Sequence, residues 1–353
     1  MRKYNNIKKV LINAWNITFL TSLTIFNCFG NNVKGLSIFD ELSYQETVEV
    51  TLEMDMENVY GNRRSNEKNK AIFSYTDKYG NAKTWNIKVA LRGRYRRTRC
   101  EAMAPLKLNF KKGDLKEAGL AKFDDMKLVS HCLADKKEAK QLLVKEYLAY
   151  KIYNKISPES FRVQFLKINY KDTQTGEVDE QWGFLIEDTA EMRARVNLEK
   201  AETLYNLERE AFNIDSYKTV AFFQYMIGNP DWSSDRVHNV KLLTRKGEYV
   251  LVPYDFDFSG IVGAPYATIN SEYQLDNSRD RIYLGYEEDL ENYDELIYYF
   301  SLKKEEILDE IRNSDLLTRK NRKEMVKYVK SFYDDIDNIS YPTYIVNTPT
   351  PGE

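Results

Sequence analysis

The segment Gly228–Gly260, GNPDWSSDRVHNVKLLTRKGEYVLVPYDFDFSG, gathers the side chains that hold hard cations and move protons. Asp231, Asp235, His238 and Asn239 stand in a polar loop, and Asp255 and Asp257 flank Phe256 after a hairpin. Two carboxylates converging with an amide make a hard-oxygen site suited to Mg2+ or Mn2+. Zinc is disfavoured: the chain has two histidines, and neither has a second His or a Cys at ligand spacing. Taken singly, Asp231 and Asp255 read as caps or turns and Asn239 as a backbone partner. Taken as a set inside an apolar frame, they read as a site.

The elements around them must aim these groups. The apolar stretch SYKTVAFFQYMIG predicts a buried helix that stops at Gly228, so the polar loop starts at its end. VKLL and YVLVPY read as strands joined by TRKGE, returning the chain to the same place. Strand alternation then puts Asp255 and Asp257 on one face, with Phe256 and Phe258 on the other. Upstream, a helix over Asp135–Ile156 carries Ala139, Leu142, Leu143, Tyr150 and Tyr153 on one face, with Glu146 near its centre. A carboxylate there is costly unless a cation meets it. Lys107, pointing away from Leu106 and Leu108 in PLKLNF, is the expected partner, and the pair would aim an ammonium at phosphate. The alternative is a Glu146 whose head reaches water. LRGRYRRTR adds Arg92, Arg94, Arg96, Arg97 and Arg99, either guanidinium forks for phosphate or a solvated hairpin arm.

The order of elements fixes a fold class. VEVTLEMDM, KAIFSYTD, WNIKVALRGRYRR, PLKLNF and MKLVSH are strand-like, and DKYGNAKT marks a hairpin. A helix over 136–156 follows, then the strand pair FRVQFLKINY and EQWGFLIED, helices near 188–195 and 214–227, the opening segment, and two more helices. This is α+β rather than a doubly wound sheet. The expectation is an atypical protein-kinase-like two-lobed fold, with an N-terminal antiparallel sheet over 40–188 and a largely helical part over 189–340. A strand Lys, a helix Glu, a hinge at Glu187–Asp188, a loop with Asp and Asn, a hairpin and an Asp-Phe pair are the parts of such a phosphotransferase, in order. Asn239 follows Asp231 by eight residues rather than five, and no G-x-G-x-x-G loop is present. An ordinary protein kinase is therefore excluded.

On LRGRYRR with PLKLNF, WGFLIED, NPDWSSDRVHN and VPYDFDFSG, the chain resembles the CotH-type atypical kinases of spore coats and secreted bacterial proteins, from Arg92 to Gly260. The resemblance implies an extracytoplasmic kinase-like fold that binds ATP with Mg2+ or Mn2+ and phosphorylates Ser or Thr. It implies Asp231 as the catalytic-loop aspartate (Asp235 is the alternative), Asn239 and Asp255 on metal, and Asp257 beside them. Arg92 falls at the arginine of the family's RGN, and Arg94 departs from its Asn. The nucleotide would then meet Arg92, Arg94, Lys107 and Glu146. The segment Gly260–Gly285 falls where an acceptor would bind, and Arg279, Arg281 and Tyr283 could read it; a Tyr-packed surface loop is the better reading.

Composition narrows the compartment and partners. With 52 basic and 54 acidic residues, the net charge of −2 gives no support for nucleic-acid binding. Arg2, Lys3, Lys8 and Lys9 precede an apolar run, which predicts an export signal over 1–30 and a periplasmic or secreted protein. A lipid anchor at Cys28 is disfavoured, since Phe26 and Asn27 stand where small residues belong; membrane contact would require that anchor. Cys100 and Cys132 are then an even pair, fitting a disulfide or two buried thiols equally. Residues 341–353 read as a tail. Besides ATP-dependent transfer to a protein or other hydroxyl acceptor, two functions remain open: a catalytically silent kinase-like assembly protein, and a metal-dependent hydrolase.

Overall fold

The computed structural model describes residues 35–338, apart from Asn62, Arg94, 101–102, His131, 203–206, 269–272, Gln274 and 287–292. The expected export signal with Cys28, Arg94 and the tail lie outside the described residues. The protein mixes strands and helices. β1 (Thr47–Met54), β2 (Asn69–Thr76), β3 (Ala82–Leu91), β4 (Leu106–Asn109), β5 (Asp125–Ser130), β6 (Val163–Asp172) and β7 (Val178–Ile186) close into a barrel, ordered β1-β2-β3-β4-β5-β7-β6.

This corrects the open antiparallel sheet expected from sequence. β1 runs parallel to β6, with Val48 opposite Leu166, and that seam pairs what would have been two edge strands. Val48, Val50, Leu52 and Met54 of β1 point to a single interior with Phe73, Val89, Leu106, Leu128 and Ile168. The short helix α1 (Ile38–Leu42), capped by Ser37, adds Ile38, Phe39 and Leu42 to the same core. The short helices α2 (Met56–Gly61), α3 (Arg96–Arg99) and α4 (Lys112–Glu117) lie in the barrel connections.

A second core joins the barrel's flank to the rest of the chain. α5 (Lys136–Ile156) starts where the Asp135 carboxylate accepts hydrogen bonds from the amides of Lys137 and Glu138. It packs Leu143, Tyr147, Tyr150 and Tyr153 among α7 (Ile214–Ile227), β9 (Val240–Arg245), β10 (Glu248–Pro253), α8 (Asp294–Arg312) and α9 (Arg319–Asn338). α6 (Thr189–Val196) follows β7, and β8 (Glu199–Lys200) completes a small sheet with β9 and β10. Between β7 and α6, Glu187 is buried between Arg162 and Arg195, and Asp188 caps α6. Among the described residues no helix is long and apolar enough to cross a membrane.

Candidate phosphate and metal site

α7 ends at Gly228, which takes the left-handed conformation at φ +61°. A side chain there would collide with the Tyr328 hydroxyl, 2.0 Å from where a Cβ would sit, so glycine is required twice over. The chain then folds back on itself: Asp231 N–H donates to Asn229, and Ser233 and His238 exchange backbone hydrogen bonds. That return brings His238 Nε2 within 3.0 Å of Asp231 Oδ1, and Asn239 Nδ2 within 2.9 Å of Asp231 Oδ2. Asn239 Nδ2 also donates to the Asp231 carbonyl at 2.7 Å, so its amide nitrogen is spent and its oxygen faces elsewhere.

The hairpin carries the second half of the site to Asn239. Pro253 pairs with Val240, and Tyr254 N–H donates to the Asn239 carbonyl, which puts Asp255 beside Asn239. Asp255 has φ +66° and Asn239 φ +51°, a backbone region that Asn and Asp tolerate better than other side chains. The Asp255 amide donates to the Tyr150 hydroxyl of α5 at 2.8 Å. Its carboxylate has no partner among the described residues. Gly260 N–H donates to the Gly228 carbonyl at 2.8 Å, so the segment's two ends are tied together.

The left-handed turn at Asp255 breaks strand alternation, which corrects the expectation that Asp255 and Asp257 share a face. Asp257 is buried instead, its Oδ2 2.8 Å from Arg96 Nε. Arg96 Nη2 meets Glu146 Oε2 at 2.5 Å. The expected Lys107–Glu146 pair is therefore not formed. Lys107 pairs with Asp125 at 2.7 Å, with 43% of its side chain exposed, and Glu146 finds its cation on α3. Burial pushes Glu146 up to about 8 and Asp257 up to about 6, against the pull of Arg96.

The lysine that does enter the site is Lys127, cross-strand partner of Lys107 on β5. Its Nζ is buried, has no hydrogen-bond partner among the described residues, and lies 4.8 Å from the Phe161 ring and 5.2 Å from the Tyr254 ring. Burial, with repulsion from Arg92 and Lys241, pushes it down to about 7, despite the pull of Asp255 and Asp188. Lys241 on β9, over the other reach of the Tyr254 ring at 4.7 Å, is lowered by burial and by Arg92. Arg92, Lys127 and Lys241 thus converge from three elements, and none has a carboxylate partner among the described residues. Sequence reasoning missed Lys127 and Lys241. The available signal for Lys127 was its position on the strand directly preceding the Glu146 helix.

The remaining expected residues divide. Asp231 lies with Asn239 and Asp255; burial raises its carboxyl, as does Asp255, while His238 and Asn239 oppose the rise. Asp235 is exposed and accepts from Ser234 Oγ, on the Tyr217 side of the loop. Arg281 is structural: it donates to the carbonyls of Met226 and Tyr328. Among the described residues, no three His, Cys, Asp or Glu side chains gather as a metal cluster. A divalent ion would have to use the free Asp255 carboxylate with the Asn239 amide oxygen, completed by phosphate and water, a donor set that Mg2+ accepts.

No family model matches the chain, and no curated protein matches it. Among solved structures, a Helicobacter pylori proinflammatory kinase, CtkA, is similar over 77% of this chain and 92% of that one, at 11% identity and a TM-score of 0.33. At that level the likeness carries no argument about this chain's activity.

Proposed function

We propose that the protein is an atypical kinase, transferring the terminal phosphoryl group of ATP to a hydroxyl acceptor with the help of Mg2+ or Mn2+. The observation that carries this reading is the convergence of three unpaired cations, Arg92, Lys127 and Lys241, beside the unpaired Asp255. A cation buried without a counter-charge, as Lys127 Nζ is, is costly, and a bound polyphosphate would supply the missing negative charge. Lys127 and Arg92 would hold phosphate oxygens from the barrel and Lys241 from the hairpin strand β9. Asp255 and Asn239 would hold the divalent ion, which when bound offsets charge on the phosphates. Asp231, fixed by His238 and Asn239, would orient the acceptor hydroxyl. The Cys100–Cys132 disulfide favours an oxidising compartment and so supports export to the periplasm or beyond.

One observation favours a second reading, a kinase-like binding protein without turnover: Glu146 is engaged by Arg96, so it does not pair with the phosphate lysine. Incubation with terminally labelled ATP and Mn2+ or Mg2+ separates the two. Label on the protein itself or on an added protein acceptor, lost in Asp255→Ala, supports transfer. Metal-dependent ATP binding without any transfer supports the silent protein. Turnover of a phosphoester without nucleotide would instead indicate a hydrolase.

A further inference from the structure

The Arg96 guanidinium is 7% exposed and lies between two buried carboxylates, Asp257 and Glu146, the latter 2% exposed. One guanidinium serves two buried carboxyl groups there, and Asp255 bears on the same guanidinium. The shortfall has a visible mark. Glu146 Oε1 is buried and has no hydrogen-bond partner among the described residues, although Oε2 is bonded to Arg96. An orphaned buried carboxylate oxygen is an acceptor waiting for a cation or a proton. Arg96 itself is delivered from outside this set of elements. It sits on the four-residue α3, whose last turn is fixed because Cys100 N–H donates to the Arg96 carbonyl and Cys100 is bridged to Cys132. Cys132 leads directly into α5, the helix that carries Glu146.

We propose that Arg96 is a tethered cation filling, from the protein's own chain, a second cation position between Glu146 and Asp257. The site then takes one divalent ion, at Asp255 and Asn239, where phosphotransferases of this type commonly hold two. This rests on the kinase reading for the first ion only; the second position is defined by Arg96 and its two carboxylates. A guanidinium suits the task because it stays charged and presents separate N–H groups to two carboxylates at once. Remove its charge and what is left is an oxygen set of the kind a divalent ion binds, two carboxylates with Oε1 already unpartnered.

The test uses the full chain with Mn2+ as the probe and no nucleotide, comparing wild type with Arg96→Met. The variant should saturate with one more Mn2+ than the wild type, and Mn2+ should raise the variant's melting temperature more than the wild type's. Adding Asp257→Asn to the variant should remove the extra ion. A folded Arg96→Met protein that gains no ion, or whose melting temperature does not respond, overturns the proposal. If Arg96→Met does not fold even with Mn2+, Asp257→Asn alone decides. With Asp257 spent on Arg96, Mn2+ affinity should stay near the wild-type value, and a loss of about tenfold or more, as for a direct or supporting ligand, overturns the proposal. The kinase reading and this one fail separately: a wild type that binds no Mn2+ even with ATP counts against the former, a variant that gains none against the latter.

Discussion

Replacing Lys127 by methionine should stabilise the protein and remove its response to nucleotide. The ammonium is buried without a hydrogen-bond partner, and its pKa falls from an ordinary 10.5 to about 7. That fall corresponds to roughly 5 kcal/mol held against folding when the group is charged. The direction follows from proton counting. Between about pH 7 and 10.5 the unfolded chain carries a proton on this lysine that the folded chain has released, so stability from this group rises with pH. Below pH 7 the whole cost is present. Lys127→Met keeps the side chain's length, keeps the apolar contact with Phe161 and Tyr254, and removes the charge. Relaxation and solvent entry will absorb part of the cost, so an increase of about 1–4 kcal/mol at pH 6 is expected, shrinking towards pH 9. Urea denaturation of both proteins at pH 6, 7 and 9 reads the difference, and thermal melting with ATP and Mn2+ reads the lost response. A variant less stable than wild type at pH 6, or one that still responds to ATP as wild type does, would refute the assignment of Lys127 as a pre-placed phosphate cation.

Glu146, raised from 4.5 to about 8, holds a proton when folded that the unfolded chain has already lost. Stability should therefore fall as pH rises across that window, and Glu146→Gln should flatten the fall, by up to ~1.4 kcal/mol per pH unit, in denaturant midpoints at pH 5 and 8. Removing the disulfide with the double change Cys100→Ser and Cys132→Ser opens a loop spanning 32 residues. Chain entropy puts the loss at ~4 kcal/mol, measurable by denaturation, and the freed α3 turn should weaken the Arg96 contacts as well. Asp231→Asn should lower phosphoryl transfer by about 100-fold or more, while Asp235→Asn should leave it close to wild type in the same labelled-ATP assay.

Local periodicity carried much of this architecture. The α5 helix is legible because its apolar residues recur every 3.6 positions behind Asp135, α7 because an apolar run stops at Gly228, and the β9–β10 hairpin because two short apolar runs flank TRKGE. The barrel seam is not legible, since Val48 and Leu166 pair across most of the first half of the chain and nothing local marks them as neighbours. The expected Lys107–Glu146 pair is not formed, and the lysine acted on by Asp255 lies one strand over, about 4.8 Å away. Lys107 and Lys127 are cross-strand partners on the same face, so alternation finds the face but cannot tell which strand brings its lysine near Asp255. Asp257 was misread for a different reason: alternation assumes extended backbone, and Asp255 leaves it. Arg96 lay inside a run of five arginines whose members look alike in sequence, and only tertiary packing against Glu146 and Asp257 singles it out.

The most direct measurement is calorimetric titration of the full chain with ATP, with and without Mn2+, in wild type, Lys127→Met and Asp255→Ala. Saturable binding in the wild type that strengthens with Mn2+, is lost in Lys127→Met, and loses its metal dependence in Asp255→Ala is the expected result. Absence of heat and of any melting shift at millimolar ATP with Mn2+, in a folded wild-type protein, would contradict the reading of the Arg92–Lys127–Lys241 cluster as a nucleotide phosphate site.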